Sequence, residues 1–486
     1  MLPAPKTIVI GAGISGVSSA IWLQRAGHEV LLIDKATPGM GASYGNAGLL
    51  AQWAFIPVTT PGLLRTAAKY LPNPKSPLFM QWSYLPRMLP WLRQFIGNAN
   101  DTDTRRIVEN LKPLVTDALD QHYALVKDTA AQKWIAESSF SFAYKNRAAF
   151  DADSYGWNLR REAGQTPEII EGHAVREEEP ILGPQINLLA VLKGHGHILN
   201  PGRYVAELAE IFQRAGGQFL TAEVQDFDLT SGKIQAVETN RGRFDCDHAI
   251  LAAGIWSKSL MKKLGLKVPL EAERGYHIIY KNPSHVPRNP MMIADGKFAV
   301  NPMETGLRCA GLVELGGIKA GPSRAPIALL RHKTRQVFPD LRYDSSEEWL
   351  GFRPSTPDSL PLIGEIRNTG IYTAFGHQHV GLTAGPKTGR LIVADTGQAA
   401  FGVAAEVVSQ ASQHAFQHLK APPRCITLPH LPTPTTPALA DLFYPSPRDI
   451  SRMAHTMLGA KTPLPPEVVK KQLWRDTPDP SFTGPY

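Results

Sequence analysis

Cysteine is scarce in this chain of 486 residues: Cys246, Cys309 and Cys425 stand far apart, with no C-x-x-C pair. That excludes a disulfide framework and a cysteine-built zinc site, and fits a reducing compartment. No run of about 18 apolar residues occurs, so no segment reads as a membrane-spanning helix. The N-terminus carries a single Lys6 and enters an apolar run almost at once. That leaves no room for a secretory signal, and the expected location is cytoplasmic. Strong net charge is also lacking: 51 basic and 43 acidic residues leave +8, too mild for this length to argue for nucleic acid. There are no internal repeats. His377 and His379 alternate, as do His195 and His197. Neither pair has a carboxylate or third histidine to complete a site, so no metal is expected.

One local absence is sharper. Between residues 35 and 100 there is no Asp or Glu, while Lys35, Arg65, Lys69, Lys75, Arg87 and Arg93 are interleaved with Trp53, Phe55, Tyr70, Phe79, Trp82, Tyr84, Trp91 and Phe95. Repeated prolines keep helices here short. The stretch reads either as a wrapped connection packing its rings inward, or as a surface (53–96) resting on the inner face of an anionic membrane.

The strongest positive signal is Thr7-Ile-Val-Ile-Gly-Ala-Gly-Ile-Ser-Gly16, a helix from about Val17 to Ala26, a second apolar strand Glu29 to Ile33, and Asp34 closing it. This is the βαβ fingerprint of a dinucleotide site. Gly11 allows the tight turn, Gly13 lets backbone approach a pyrophosphate, and Gly16 lets helix and strand pack closely. Phosphates then meet unpaired amides at a helix N-terminus, and Asp34 accepts a ribose hydroxyl.

Further along, residues 101–135 carry helical spacing, and Asn200-Pro-Gly202 caps a helix to about Ala215. Gln218 to Val224 extends, Thr230-Ser-Gly-Lys233 turns, and Phe244 to Ala252 reads as one buried strand. Residues 270–343 read as a β-rich layer. From about 421 the composition shifts, with fourteen prolines up to Pro485 and one helix-like run, Pro466 to Leu473; such a tail should be extended or loosely packed.

Five motifs then occur in order: Gly41-Ala-Ser-Tyr-Gly-Asn-Ala-Gly48, Ala252-Ala-Gly254, Glu273-Arg-Gly-Tyr-His277, Gly351-Phe-Arg-Pro-Ser-Thr-Pro-Asp-Ser-Leu-Pro-Leu-Ile-Gly364, and Ile371-Tyr-Thr-Ala-Phe-Gly-His377 with Gly381-Leu-Thr383. With these, residues 5–396 resemble the flavoproteins of the D-amino-acid oxidase and glycine oxidase superfamily, and within it the bacterial D-amino-acid dehydrogenases. The resemblance implies an α/β fold: a Rossmann-like FAD-binding domain of glutathione-reductase type, interleaved with an α+β substrate domain whose antiparallel sheet roofs the flavin. It places the FAD domain at 1–60, 155–260 and 345–400, the substrate domain at 61–154 and 261–344, and leaves 401–486 as an extension outside the family pattern.

The same resemblance makes the dinucleotide FAD. Contacts are implied from Gly11, Gly13, Ile14, Ser15 and Gly16, with Asp34 and Lys35 at the adenosine end. Ala42, Ser43, Asn46, Ala47, Gly48 and Leu49 lie along the flavin, and Val224, Ala253 and Gly254 approach the cofactor. Gly376, His377, Gly381, Leu382 and Thr383 lie at the pyrimidine edge, where helix-start amides would face the charge of reduced flavin. Some relatives attach FAD through a histidine or a cysteine. Gly45 stands where that histidine would be and no cysteine lies between 310 and 424, so noncovalent FAD is expected.

Arg353 is the expected anchor of a substrate carboxylate, since a planar guanidinium matches it bidentately. Tyr276 and His277 either hydrogen-bond substrate or are an ordinary strand pair. The implied reaction is dehydrogenation of a D-amino acid or a D-proline-like imino acid, with electrons passing to a quinone or other carrier. Three alternatives remain: an oxidase that uses oxygen, a non-catalytic flavin-binding subunit of a larger complex, and an NAD-dependent dehydrogenase. No residue identifies itself as a general base.

Overall fold

In the first strand, Lys6–Ile10, exposed Lys6 is followed by four buried residues. Such a run marks a parallel strand covered on both faces. The structure, a computed structural model, describes residues 4–63, 67 and 77–396. The Pro-rich extension with its helix at Pro466 to Leu473, Cys425, and Arg65, Lys69, Tyr70 and Lys75 of the basic stretch lie outside the described residues. The chain divides into two compact units, Met1–Arg390 and Leu391–Tyr486. Of the second, residues 391–396 are described, as helix.

Lys6–Ile10 is flanked in parallel by Glu29–Asp34 and His248–Leu251. Ile371–Phe375 and Gln218–Thr221 extend the sheet in parallel, and Leu362–Glu365 adds an antiparallel edge. The fingerprint turn behaves as its glycines require. Gly11 adopts φ +107° and its amide donates to the Ile33 carbonyl at 2.7 Å. A Cβ at Gly16 would run into the Gly11 carbonyl oxygen, so helix Ile14–Arg25 can start this close to the strand only with glycine there.

The second layer is a ten-stranded mixed sheet. At one end Glu271–Lys281 lies between Ser345–Ser355 and Gly306–Leu315, antiparallel to both. Ten of its eleven residues are buried. One face carries Tyr276, Ile278 and Tyr280 in a cluster with the helix Arg324–Val337. On that side Arg274 and Glu314 form a buried ion pair (2.7 Å), joined by the Tyr276 hydroxyl at 2.5 Å from Glu314. The other face looks toward the parallel sheet. Ser345–Ser355, Leu188–Ile198 and Glu168–Glu171 all belong to this roof sheet.

Several local readings change. The run Phe244 to Ala252 is two strands: Gly242–Asp245 closes a three-stranded antiparallel meander, and His248–Leu251 enters the parallel sheet. The break at Cys246-Asp247 is fixed by Asp247, whose amide and carboxylate both bind the Lys6 backbone. Residues 101–135 are also divided, into Asp101–Val115, Ala118–Val126 and a 3-10 turn at Ala130–Trp134. The layer at 270–343 contains the helix Arg324–Val337, which its strand-like neighbours masked. The hairpin turn reads as expected, with Ser231 and Gly232 both at positive φ, and Asn200 caps helix Pro201–Arg214 by accepting from the Arg203 amide at 3.2 Å.

The acid-free stretch divides between its two readings. Trp53, Phe55 and Trp91 are buried, and the Trp91 indole donates to the Ser355 carbonyl at 3.0 Å. Trp82 (62 % exposed) and Leu89 (53 %) face out beside Arg87 and Arg93. Here prolines do not prevent a 13-residue helix, Leu85–Gly97. Pro86 sits in its first turn, where no donor is needed, and Pro90 strands only the carbonyl of exposed Pro86. Among the described residues no helix is long and apolar enough to cross a membrane.

Candidate active site

A cavity of ≈ 670 Å³ runs from the fingerprint turn to the roof sheet. Gly11, Gly13, Ile14 and Ser15 line one end with Asp34 and Lys35. Asp34 is held there by two amides, Ala12 at 2.6 Å and Ala36 at 3.0 Å, and the Lys35 ammonium lies 4.1 Å from the centre of the Trp256 ring. Helix Ile14–Arg25 has no cap from its own N-terminal side chain and no acid in its first turn. Its start therefore offers amides to an anion.

The segment 41–48 forms a wall, held from outside the cavity. Buried Arg308 donates to the carbonyls of Tyr44 (2.9 Å) and Asn46 (2.6 Å), and Asn301 donates to that of Ala47 at 2.8 Å. Ser43 Oγ accepts from the Ile14 amide at 3.0 Å, tying wall to floor. Ala42, Asn46, Ala47 and Leu49 line the cavity beside Ser43, and Val224, Ala253 and Gly254 line it from the meander and from the end of His248–Leu251.

At the far end, His377, Gly381, Leu382 and Thr383 lead into helix Gly381–Thr396. The Leu382 carbonyl would normally accept from the residue four places on, which is Pro386 and has no N–H. Buried His122 supplies the missing donor from its Nε2 at 2.9 Å, while its Nδ1 pairs with the Tyr204 hydroxyl at 2.8 Å. Burial pushes His122 down to about 4, keeping it neutral as this bonding requires. His377 is likewise buried and bonds Thr388 through Nε2 at 2.9 Å. His379, by contrast, opens onto the cavity.

Overhead is the roof. Arg353 lines the cavity and donates from Nη1 to the Leu312 carbonyl at 3.2 Å. Burial lowers its pKa and the nearby Glu273 raises it. Glu273 is its in-register neighbour on the adjacent strand and also lines the cavity, its Oε1 accepting from Gln378 Nε2 at 3.0 Å. Leu312 (φ +59°) and Gln378 (φ +50°) are both in the left-handed region. The first sits where two residues, Leu312 and Val313, oppose the single Gly275. That bulge turns the Leu312 carbonyl toward Arg353. Strained backbone at the hydrogen-bond partners of both Arg353 and Glu273 is the kind of cost that clusters at functional sites.

Four of the residues named from sequence do not line the cavity. Gly16 acts through helix packing. Gly48, at φ +78°, is hemmed in by Asn301, Met303 and the Ile198 carbonyl, and Gly376, at φ +90°, shapes the turn before His377. His277 is stacked on Trp349 (5.1 Å, 16°) and its Nδ1 lies 3.2 Å from the Gly45 carbonyl; burial pushes it down to about 3. It reaches the cavity only through Trp349, which does line it. A Cβ at Gly45 or at Gly351 would overlap the Trp349 ring, which is why both are glycine. Tyr276 lines the cavity, but its hydroxyl serves the Arg274–Glu314 network. The reading of sequence missed Glu273, Gly275, Leu312, Trp349 and Gln378. The signal available was the pair of glycines at 45 and 351, neither of which is held at positive φ.

The profile described as FAD dependent oxidoreductase matches residues 6–395. The chain belongs to that family. A profile of the transketolase C-terminal domain also matches residues 379–450. A protein of Bradyrhizobium diazoefficiens named D-amino-acid oxidase is 38% identical over 79% of this chain and 93% of its own length. One of Helicobacter pylori named D-amino acid dehydrogenase is 27% identical over 80% and 93%. The crystal structure of glycine oxidase from Geobacillus kaustophilus shares the fold, with a TM-score of 0.63 and 20% identity over 83% of this chain and 98% of that one. The superfamily and the α/β architecture are as expected from sequence, and the protein is an FAD-dependent oxidoreductase. Its cavity suits that cofactor: an uncapped helix start and Asp34 at one end, and a second helix start at Gly381 at the other.

Proposed function

We propose that this flavoenzyme oxidises an amino acid at its α-carbon, taking a D-amino acid or a D-proline-like imino acid. The product is an imino acid that water hydrolyses to a 2-oxo acid and, for a primary amine, ammonia. The observation that carries this reading is Arg353, a half-buried, largely desolvated guanidinium with donors left over at the roof of the cavity. Such a group is costly to bury and calls for an anion; a carboxylate fits it bidentately. The same observation weighs against a non-catalytic flavin-binding subunit. Bound FAD supplies the two-electron acceptor for the Cα hydride. Apolar lining from Trp53, Met292, Leu312 and Trp349 favours a hydrophobic side chain over a charged one. The D-configuration is supported by the names of the relatives.

For the electrons we propose a quinone or other carrier. The second reading, oxygen, is favoured by the 38% identical relative named an oxidase. Assaying D-amino-acid turnover with a soluble quinone against peroxide release separates them: quinone reduction far above peroxide is expected, and stoichiometric peroxide without quinone turnover would overturn it. We also propose peripheral contact with an anionic membrane through Trp82, Leu89, Arg87 and Arg93, exposed on one stretch with no acid. Substituting Arg87→Glu with Arg93→Glu is expected to abolish cosedimentation with anionic vesicles; unchanged partitioning would retire the contact.

A further inference from the structure

We infer that Glu273 binds the ammonium group of the substrate and takes its proton. The inference rests on the amino-acid reading above and names the base that reading lacks. Glu273 and Arg353 face each other in register on adjacent strands, and both side chains line the cavity. Neither is spent on the other: Arg353 donates to Leu312, and Glu273 accepts from Gln378. An α-amino-acid zwitterion carries its two charges on groups bonded to the same carbon. With its carboxylate on the guanidinium, its ammonium falls beside Glu273, the one carboxylate in this part of the wall among the described residues. The other acids near this strand are engaged elsewhere. Glu271 receives the Tyr84 hydroxyl at 3.0 Å, and Glu314 is paired with Arg274 on the opposite face.

Glu273 is also suited to hold a proton. It is 5 % exposed, and burial raises its pKa, opposed by the charge of Arg353 and by the Gln378 hydrogen bond. His377 and His379 also line the cavity; desolvation, and at His379 also the charge of Arg353, holds both below the ordinary histidine range. An ammonium has no lone pair to form a C=N bond, so oxidation needs the neutral amine. The N–H bond to one ammonium proton breaks as an O–H bond forms on a Glu273 carboxylate oxygen. The freed lone pair then forms C=N while the Cα–H electron pair leaves to the bound FAD, so substrate loses two electrons and FAD gains them. Strain at Gln378 has a use in this account, because it aims the amide that fixes the Glu273 carboxylate.

The test is Glu273→Gln, which keeps the size and the Gln378 contact, examined with FAD bound. Three readouts are compared with wild type: binding of benzoate, a carboxylate without an amine; binding of the D-amino acid; and the pH profile of anaerobic flavin reduction. Benzoate affinity is expected to hold, amino-acid affinity to fall about tenfold or more, and the acid limb of reduction to move up toward the value of the free ammonium. Glu273→Asp, which retains the charge, should fall between the two. An unchanged pH profile and amino-acid affinity would overturn the inference. So would equal loss of benzoate and amino acid, which would make Glu273 only a support for Arg353. If no amino acid reduces the wild-type flavin, the amino-acid reading itself fails, a result that no Glu273 variant can produce.

Discussion

Replacing Arg353 by methionine is expected to leave bound FAD and its visible spectrum intact while lowering kcat/KM for the amino acid by roughly thirty- to several-thousand-fold. The magnitude is that of truncating one partner of a buried, hydrogen-bonded charge pair, about 2–5 kcal/mol at about 1.4 kcal/mol per decade. Arg353 lies in the roof strand and its hydrogen bond goes to Leu312 of the same sheet, so flavin content should not change. Methionine fills much of the volume but offers no donor, and it leaves Glu273 buried without the charge that holds its pKa down. Arg353→Lys should recover only part of the loss, since a point charge cannot make the planar, two-point contact. Loss of FAD from Arg353→Met, or a change in kcat/KM below about threefold, would remove Arg353 from the substrate site.

Gly275→Ala should cost nearly as much without touching a charged group. Gly275 sits opposite the bulge, and a Cβ there would lie 2.5 Å from Arg353 Cζ and Nη2 and 2.8 Å from Nη1. The backbone of Gly275 is not in the left-handed region, so alanine is tolerated by the strand itself. What must yield is the guanidinium, the far end of a flexible side chain. The protein should therefore fold and hold FAD, with Arg353 displaced by about an ångström, a misplacement worth around a hundredfold in kcat/KM. Benzoate affinity should fall in parallel, because the displaced group is the carboxylate anchor. In the Arg353→Met background, adding Gly275→Ala should change little, since its target is gone. Additive losses would mean that Gly275 acts by another route.

These variants show where sequence was informative. The fingerprint turn was legible because its logic is local: Gly11, Gly13 and Gly16 lie within six residues, and each has a backbone reason. Arg353 was legible because its motif carried a family resemblance. The motif at 273–277 drew attention to Tyr276 and His277, its most reactive-looking side chains. Alternation along the strand and the bulge opposite Gly275 leave the Tyr276 hydroxyl in the Arg274–Glu314 network, and His277 behind Trp349. Glu273 and Gly275 matter because of the register Glu273↔Arg353 across strands some 80 residues apart, which no local pattern encodes. The same holds for His122, whose partner carbonyl is left without a donor by a proline 264 residues later in the chain. The break at Cys246-Asp247 was hidden for a related reason. Phe244 runs into the apolar residues that follow with no turn signal between them, and the Asp247 contact with Lys6 marks where the chain passes from one sheet to the other.

The most direct measurement is anaerobic addition of a panel of D- and L-amino acids, prolines and sarcosine to the purified, FAD-loaded wild type and to Arg353→Met, following the flavin absorption band. Full bleaching of the wild type by at least one apolar D-amino acid or D-proline is expected, and at equal substrate a rate about thirtyfold or more slower in the variant. A wild-type flavin that no amino acid bleaches, or a variant that bleaches as fast as wild type, would contradict this expectation.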